Sequence, residues 1–279
     1  MNNYLLSITF LAINWSNVII ATLVVAAIGL IIGIMLGIAA LKLDFAVDTR
    51  ELEVRELLPG VNCGACGYAG CDALAKAIAQ EEAPSDACPV ANSATHKLIA
   101  DLMGQVVEER EPQLAYVNCA GTCEKAKDKY EYHGLLDCKA AMLVPGEGHK
   151  SCSFGCLGFG SCVNVCAFDA IHIIDGIALV DEEKCTACGM CVAECPKDLI
   201  ELVPKRSEYF VTCISTAKGK DVRTVCSAGC IGCRLCVKAC EYDAIDFNNN
   251  LAKIDYDKCV NCGECAKVCP VKVIKIVTA

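Results

Sequence analysis

Cys185-Thr-Ala-Cys188-Gly-Met-Cys191-Val-Ala-Glu-Cys195-Pro196 decides how this chain is read, and Cys259-Val-Asn-Cys262-Gly-Glu-Cys265-Ala-Lys-Val-Cys269-Pro270 repeats its spacing. Three thiolates this close in sequence converge on one [4Fe–4S] cube only if the backbone loops around it. The fourth, on the helix that follows, reaches a neighbouring cube, and the proline ends the run. Zinc would need only isolated C-x2-C pairs, so two complete runs point to iron–sulfur chemistry.

Each clean run has a degenerate partner upstream. Cys230-x2-Cys233-x2-Cys236-x3-Cys240 precedes the second and Cys156-x5-Cys162-x3-Cys166 precedes the first. Without gaps, CSFGCLGFGSCVNVCAFDAI (from Cys152) aligns with CSAGCIGCRLCVKACEYDAI (from Cys226), and Phe159 falls where Cys233 stands. The first unit is therefore one ligand short, and Cys152 is the obvious substitute. Ala167 and Glu241 occupy the places where the clean runs have proline. YVNCAGT around Cys119 resembles FVTCIST around Cys213, which extends the duplication to about Tyr116–Ile200 and Phe210–Ile274. Two hairpins are predicted: Ile171–Ile174 with Ile177–Val180 across Asp175-Gly176, and Ile245–Phe247 with Leu251–Ile254 across Asn248–Asn250.

A further module reads Cys63-x2-Cys66-x4-Cys71-x16-Cys88-Pro89, with Gly60, Gly64, Gly67 and Gly70 interleaved. Glycine permits the backbone angles a cluster-wrapping loop needs. Four cysteines in this layout fit one [4Fe–4S] cluster, with zinc as the alternative for the C-x2-C pair. Helices are predicted over Cys71–Glu82 and Asn92–Gln105, and a charged linker over Val106–Pro112.

Val18–Leu41 is an uncharged apolar run long enough to cross a bilayer. Met1–Ser16 has no Lys or Arg, whereas Lys42, Arg50 and Arg55 follow the span, which predicts a single pass with the bulk of the chain cytoplasmic. Trp15 stands where an interfacial anchor would, and Gly29, Gly33 and Gly37 form a small-residue ridge for a packing helix. Asp44–Leu58 reads as a short helix or linker.

The predicted fold class is α+β: an N-terminal transmembrane anchor (1–43), a small four-cysteine [4Fe–4S] domain with its linker (44–112), and two tandem ferredoxin-like units (113–204 and 205–279). Of 279 residues 25 are cysteine, and kept for metal they imply a reducing, cytosolic setting. The net charge of −9 without a basic run argues against nucleic acid. No G-x-G-x-x-G opens a strand–helix unit, so neither NAD nor flavin is expected in this chain, and no side chains are arranged for catalysis. His96, His133, His149 and His172 show no paired spacing and read as structural or surface residues, with a histidine ligand at a sixth site left open.

The cysteines divide into five clusters: Cys63, Cys66, Cys71 and Cys88; Cys185, Cys188, Cys191 and Cys166; Cys152, Cys156, Cys162 and Cys195; Cys230, Cys233, Cys236 and Cys269; Cys259, Cys262, Cys265 and Cys240. Cys119, Cys123, Cys138, Cys213 and Cys226 remain. They can supply a sixth cluster with one spare or be ordinary core thiols, and Cys152 could serve that sixth cluster instead.

With LLPGVNCGACGYAGCDALAKAIA (57–79) and the two aligned twenty-residue stretches, the chain resembles the B subunit of the Rnf complex, in the longer form found in anaerobes. The resemblance covers essentially the whole chain. It implies a membrane-bound ferredoxin:NAD+ oxidoreductase in which this subunit takes electrons from soluble ferredoxin and passes them to membrane subunits. NAD+ would be reduced elsewhere in the complex, with Na+ or H+ driven across the membrane. Two alternatives stand beside it: an iron–sulfur subunit of a hydrogenase or formate-oxidising assembly, and a zinc-binding scaffold. Order along the chain suggests that electrons enter at the C-terminal unit and leave at the Cys63–Cys88 module. Lys205, Arg206, Lys218, Lys220 and Arg223 are the candidate ferredoxin-docking patch.

Overall fold

The computed structural model describes residues 15–42 and 48–276. The readings that fall on residues 1–14 and 43–47, and on the side chains of Trp15 and Lys42, lie outside the described residues. The chain forms two units, Met1–Asp48 and Thr49–Ala279.

In the first unit, α1 (Trp15–Lys42) is apolar around its whole circumference. Ser16–Ala39 is long and apolar enough to cross a membrane, and none of it is buried. Thr22 turns its hydroxyl back to the Val18 carbonyl at 2.9 Å, so its one polar group is satisfied within the helix. A Cβ at Gly29, Gly33 or Gly37 would meet nothing within 4 Å.

The second unit mixes helices and strands. It begins with α2 (Thr49–Leu57), α3 (Cys71–Ala79) and α4 (Ser93–Met103) around buried Val54, Leu74, Ile78 and Ile99. α3 ends before the predicted Glu82. The Glu82 and Ala83 N–H groups both turn back onto the Ala77 carbonyl, at 2.8 and 3.1 Å, and Glu81 takes φ 60°. α4 runs between two caps: Asn92 accepts the Thr95 N–H at 2.8 Å, and Gly104 closes the helix in the left-handed region.

The elements that follow are β1 (Gln113–Val117), α5 (Cys138–Met142), α6 (Ser161–Asn164), β2 (Ile171–Ile174), β3 (Ile177–Val180), α7 (Met190–Glu194) and β4 (Ile200–Pro204). Then come β5 (Tyr209–Val211), α8 (Gly219–Val225), α9 (Leu235–Ala239), β6 (Ile245–Asn248), β7 (Leu251–Ile254), α10 (Glu264–Lys267) and β8 (Ile274–Ile276). They make antiparallel pairs β1–β4, β2–β3, β5–β8 and β6–β7. Val117 faces Ile200 just as Val211 faces Ile274, so the duplication extends to register. The second hairpin turns on Asn249-Asn250 alone, one residue tighter than predicted, because both residues accept positive φ (47° and 64°) as Asp175-Gly176 does in the first.

The two repeats are joined through backbone. Lys127 N–H donates to Val225 and Ser227 N–H to Lys125, each at 2.9 Å. Tyr116 stacks on Phe210 at 4.2 Å, and Tyr256 lies at 5.9 Å on the same Phe210 ring. Burial pushes both phenols up, so neither is ionised at neutral pH.

A close approach tests this packing. Gly158 sits at φ +74°, and a Cβ there would lie 2.6 Å from the Gly176 carbonyl in the β2–β3 turn. Gly189 has φ +79° but nothing within 4 Å. Gly158→Ala should lower stability by about 1–3 kcal/mol more than Gly189→Ala, because both bear the left-handed cost and only the first must move backbone. Anaerobic urea unfolding followed by cluster absorbance measures the difference, and equal midpoints would contradict it.

Candidate metal centres

Each cysteine loop is shaped by residues in the left-handed region at repeating places. Two residues after the first cysteine stand Gly158, Ala187, Gly232 and Asn261, with φ between 54° and 74°. Before the helix bearing the third cysteine stand Gly160, Gly189, Arg234 and Gly263. Three residues after the fourth stand Asp169, Asp198, Asp243 and Lys272, with φ between 48° and 51°. Arg234 holds this conformation without being glycine, and its guanidinium lies 4.4 Å from the Phe247 ring centre.

These loops gather cysteines around shared hollows. Cys166, Cys185, Cys188 and Cys191 line one, Cys230, Cys233, Cys236 and Cys269 another, and Cys240, Cys259, Cys262 and Cys265 a third. In each, three cysteines of one run meet the last cysteine of the other. In the α2–α4 module, Cys66 and Cys71 act electrostatically on Cys88, whose thiol is pushed up mainly by burial. The Cys71 N–H donates to Asn62 Oδ1 at 2.8 Å, and the His96 imidazole meets the Cys88 carbonyl at 2.9 Å.

The remaining groupings differ from the sequence reading. Cys138, not Cys152, lines the hollow with Cys156, Cys162 and Cys195. Ser161, beside Cys162, explains the placement: its hydroxyl accepts the Cys138 N–H and donates to Asp137, both at 2.7 Å, pinning the start of α5 onto α6. Asp137 also caps α5 through the Ala140 N–H, and these two bonds, the Ala140 one first, hold its carboxyl below the usual range. Phe159, in the place of the absent cysteine, packs instead between Tyr132 and His149, 5.0 Å from each ring.

Cys152 faces a larger cavity of about 220 Å³ between the two repeats, with Cys119, Cys213 and Cys226 on its walls. Each repeat contributes an equivalent pair: Cys119 and Cys152 from the first, Cys213 and Cys226 from the second. Among the described residues no histidine lines this cavity. Cys123 is exposed and lies outside these groups, its N–H donating to the Asp175 carbonyl at 2.9 Å.

The donor sets fit cubes. Each hollow has four thiols, and backbone N–H groups are aimed at sulfur. Four residues after the fourth cysteine of each run, Ala170, Leu199, Ala244 and Val273 donate to Cys166, Cys195, Cys240 and Cys269 at 3.4–3.5 Å. Gly121 and Ser215 donate to Cys119 and Cys213, two residues back, at 3.4 Å. Such bonds favour thiolate and tune cluster potential.

Adjacent quartets act electrostatically on each other. Burial comes first for every thiol in this series. Beyond it, Cys63 raises Cys188, Cys191 raises Cys162, Cys119 raises Cys156, Cys230 raises Cys213, and Cys236 raises Cys265. These effects pair neighbouring groups: the α2–α4 module with the Cys185 hollow, the Cys185 hollow with the Cys156 hollow, the shared cavity with the Cys156 and Cys230 hollows, and the Cys230 hollow with the Cys259 hollow.

Among the other candidates, Arg206 is tied to Glu111 and, at 3.0 Å, to the Tyr256 carbonyl, whereas Lys205, Lys218, Lys220 and Arg223 are exposed. His133 and His172 are exposed, and burial lowers the His149 pKa.

Burial pushes Cys162 and Cys191 up to about 12, and Cys213, Cys236 and Cys265 to about 11, so without metal these thiols are protonated at neutral pH. Iron must displace those protons, so binding should strengthen as pH rises toward these values. Iron retained against a fixed chelator concentration under anaerobic conditions should increase from about pH 6.5 to about 8.5. Retention independent of pH would mean the thiols ionise before iron arrives.

Residues 58–90 match the "Fe-S cluster" family, 178–201 the 4Fe-4S binding domain and 229–273 the 4Fe-4S dicluster domain. The chain is 47% identical over 90% of its length to the B subunit of the Na(+)-translocating ferredoxin:NAD(+) oxidoreductase complex of Acetobacterium woodii, covering 75% of that protein. It is 42% identical over 94% to the B subunit of the ion-translocating oxidoreductase complex of Methanosarcina acetivorans, covering 99% of it. It is 41% identical over 95% to the B subunit of the proton-translocating ferredoxin:NAD(+) oxidoreductase complex of Clostridium ljungdahlii, covering 94% of it. Relatedness along nearly the full length, cysteine loops included, places this chain in the family of B subunits of the ion-translocating ferredoxin:NAD+ oxidoreductase, or Rnf, complexes.

Proposed function

We propose that this chain is the iron–sulfur electron relay of such a complex, taking electrons from reduced ferredoxin and delivering them to membrane subunits. NAD+ is reduced elsewhere in the assembly, and Na+ or H+ is moved by other subunits. The observation that carries the reading is the set of cysteine quartets around shared hollows, with neighbouring groups close enough in pairs to act on each other. α1 anchors the chain by a single pass, with the bulk of the protein on the cytoplasmic side.

Six [4Fe–4S] clusters are assigned. Cys63, Cys66, Cys71 and Cys88 hold the first, and Cys166, Cys185, Cys188 and Cys191 the second. Cys138, Cys156, Cys162 and Cys195 hold the third, and Cys119, Cys152, Cys213 and Cys226 the fourth. Cys230, Cys233, Cys236 and Cys269 hold the fifth, and Cys240, Cys259, Cys262 and Cys265 the sixth. Cys123 is the spare. When bound, a cube takes up and releases a single electron with little rearrangement. The chain's own residues do the rest. Loop backbone holds each quartet, peptide N–H groups steady the sulfurs, and apolar walls such as Val117, Ile173, Leu199 and Ile200 keep water from the Cys156 hollow.

The row these pairs make begins at the module that follows the membrane span in sequence and ends in the C-terminal repeat, where Cys233 and Cys262 are exposed. This supports electrons entering at the C-terminal unit and leaving at the Cys63–Cys88 module. The duplicated fold with a shared central quartet favours the three-part division of residues 49–279 into a four-cysteine domain and two ferredoxin-like units.

Iron and acid-labile sulfide on anaerobically purified protein should approach about 24 of each per chain, four per cube. Cys138→Ser and Cys226→Ser should each lose about four iron atoms, and Cys123→Ser none. Cys226→Ser should also stop ferredoxin from reducing the Cys63 end of the row. Full iron in Cys138→Ser would return the third site to Cys152, and continued reduction of the Cys63 end in Cys226→Ser would break the relay order.

A further inference from the structure

Lys150 is a lysine with 2% exposure. Its Nζ donates to the Gly121 carbonyl at 2.9 Å and to the Gly176 carbonyl at 2.8 Å, and no carboxylate pairs with it among the described residues. Burying an ammonium without a counter-charge is costly, and two carbonyl dipoles offset only part of that cost. Its surroundings point to what supplies the rest. Gly121 donates its own N–H to Cys119 Sγ at 3.4 Å, and Cys156 N–H donates to the same sulfur at 3.4 Å. Lys150 thus lies behind the wall of the shared cavity, bonded to the carbonyl of the Gly121 whose N–H reaches Cys119 Sγ, two residues before Cys152 in sequence, and its charge acts on Cys156.

The duplication sharpens the point. Continued two residues upstream, the gapless alignment of the Cys152 and Cys226 stretches puts Thr224 in the place of Lys150, and Thr224 is exposed. The shared cavity is nearly two-fold in its cysteines, but among the described residues only its first half is backed by a buried cation.

We propose that Lys150 is a positioning charge that raises the reduction potential of the third and fourth clusters, making the middle of the row easier to reduce. The proposal rests on the cluster assignment above. A cube held by four thiolates is anionic and gains one further negative charge on reduction. A fixed cation in a poorly screened interior therefore stabilises the reduced form more than the oxidised one.

The test is an EPR-monitored redox titration of the full chain, with iron and sulfide counted first. Lys150→Met should keep the wild-type iron content. At a poise where the two flanking clusters are half reduced in wild type, their oxidised-to-reduced ratio should rise about tenfold, a shift of about 59 mV to more negative potential. Lys150→Arg should titrate close to wild type. Lys150→Gln, which keeps a donor for the carbonyls without the charge, should shift as the Met variant does. An unchanged titration in Met or Gln with full iron would overturn the proposal. So would loss of iron in both uncharged variants, which would make Lys150 a structural plug. Fewer than six cubes in the wild type would instead count against the cluster assignment.

Discussion

Four sulfur atoms must face one cube, and regular secondary structure alone cannot bring three close neighbours in sequence to it. A helix or strand points successive side chains along fixed directions, so three cysteines within seven residues converge only if the backbone leaves both geometries. The recurring left-handed residues meet that demand. Gly158, Ala187, Gly232 and Asn261 turn the loop after the first cysteine, and Gly160, Gly189, Arg234 and Gly263 start the short helix that carries the third. The secondary structure of the repeats is correspondingly reduced to two-stranded antiparallel pairs and helices of one or two turns.

Duplication then creates a site neither repeat could make alone. Cys119 and Cys152 line one half of the cavity between the repeats, and Cys213 and Cys226 line the equivalent half. The strand-like contacts between 125–127 and 225–227, and the Tyr116–Phe210 stack, hold the halves together. The cavity between the repeats adjoins the Cys156 hollow, whose Cys156 N–H donates to Cys119 Sγ, and the Cys230 hollow, whose Cys230 acts on Cys213.

Much of this was legible in the chain itself. The sharing of hollows by Cys166 with Cys185, Cys188 and Cys191, by Cys269 with Cys230, Cys233 and Cys236, and by Cys240 with Cys259, Cys262 and Cys265, together with the apolar span, the matching strand register and the first hairpin, follows from spacing and periodicity. Those are local properties, and gapless spacing carries over into space when a loop has only one way to wrap. The family assignment rests on the same stretches. Composition alone misplaces the end of α3, because Lys76–Ala83 continues a helical pattern while the chain reverses at Glu81 to bring Cys88 back into the module.

What the sequence by itself determined was which cysteines lie within one loop, because a few bonds of backbone limit their separation. What only the tertiary structure decided was which distant cysteines join each group. Cys138 lies far before Cys156 in sequence, and its place beside that quartet depends on Ser161 and Asp137, which no spacing rule anticipates. Cys152 is close to Cys156 along the chain yet lines the cavity between the repeats, beside Cys119 of its own repeat and Cys213 and Cys226 of the other. Long-range ligation is set by how elements pack, and packing is a property of the folded whole.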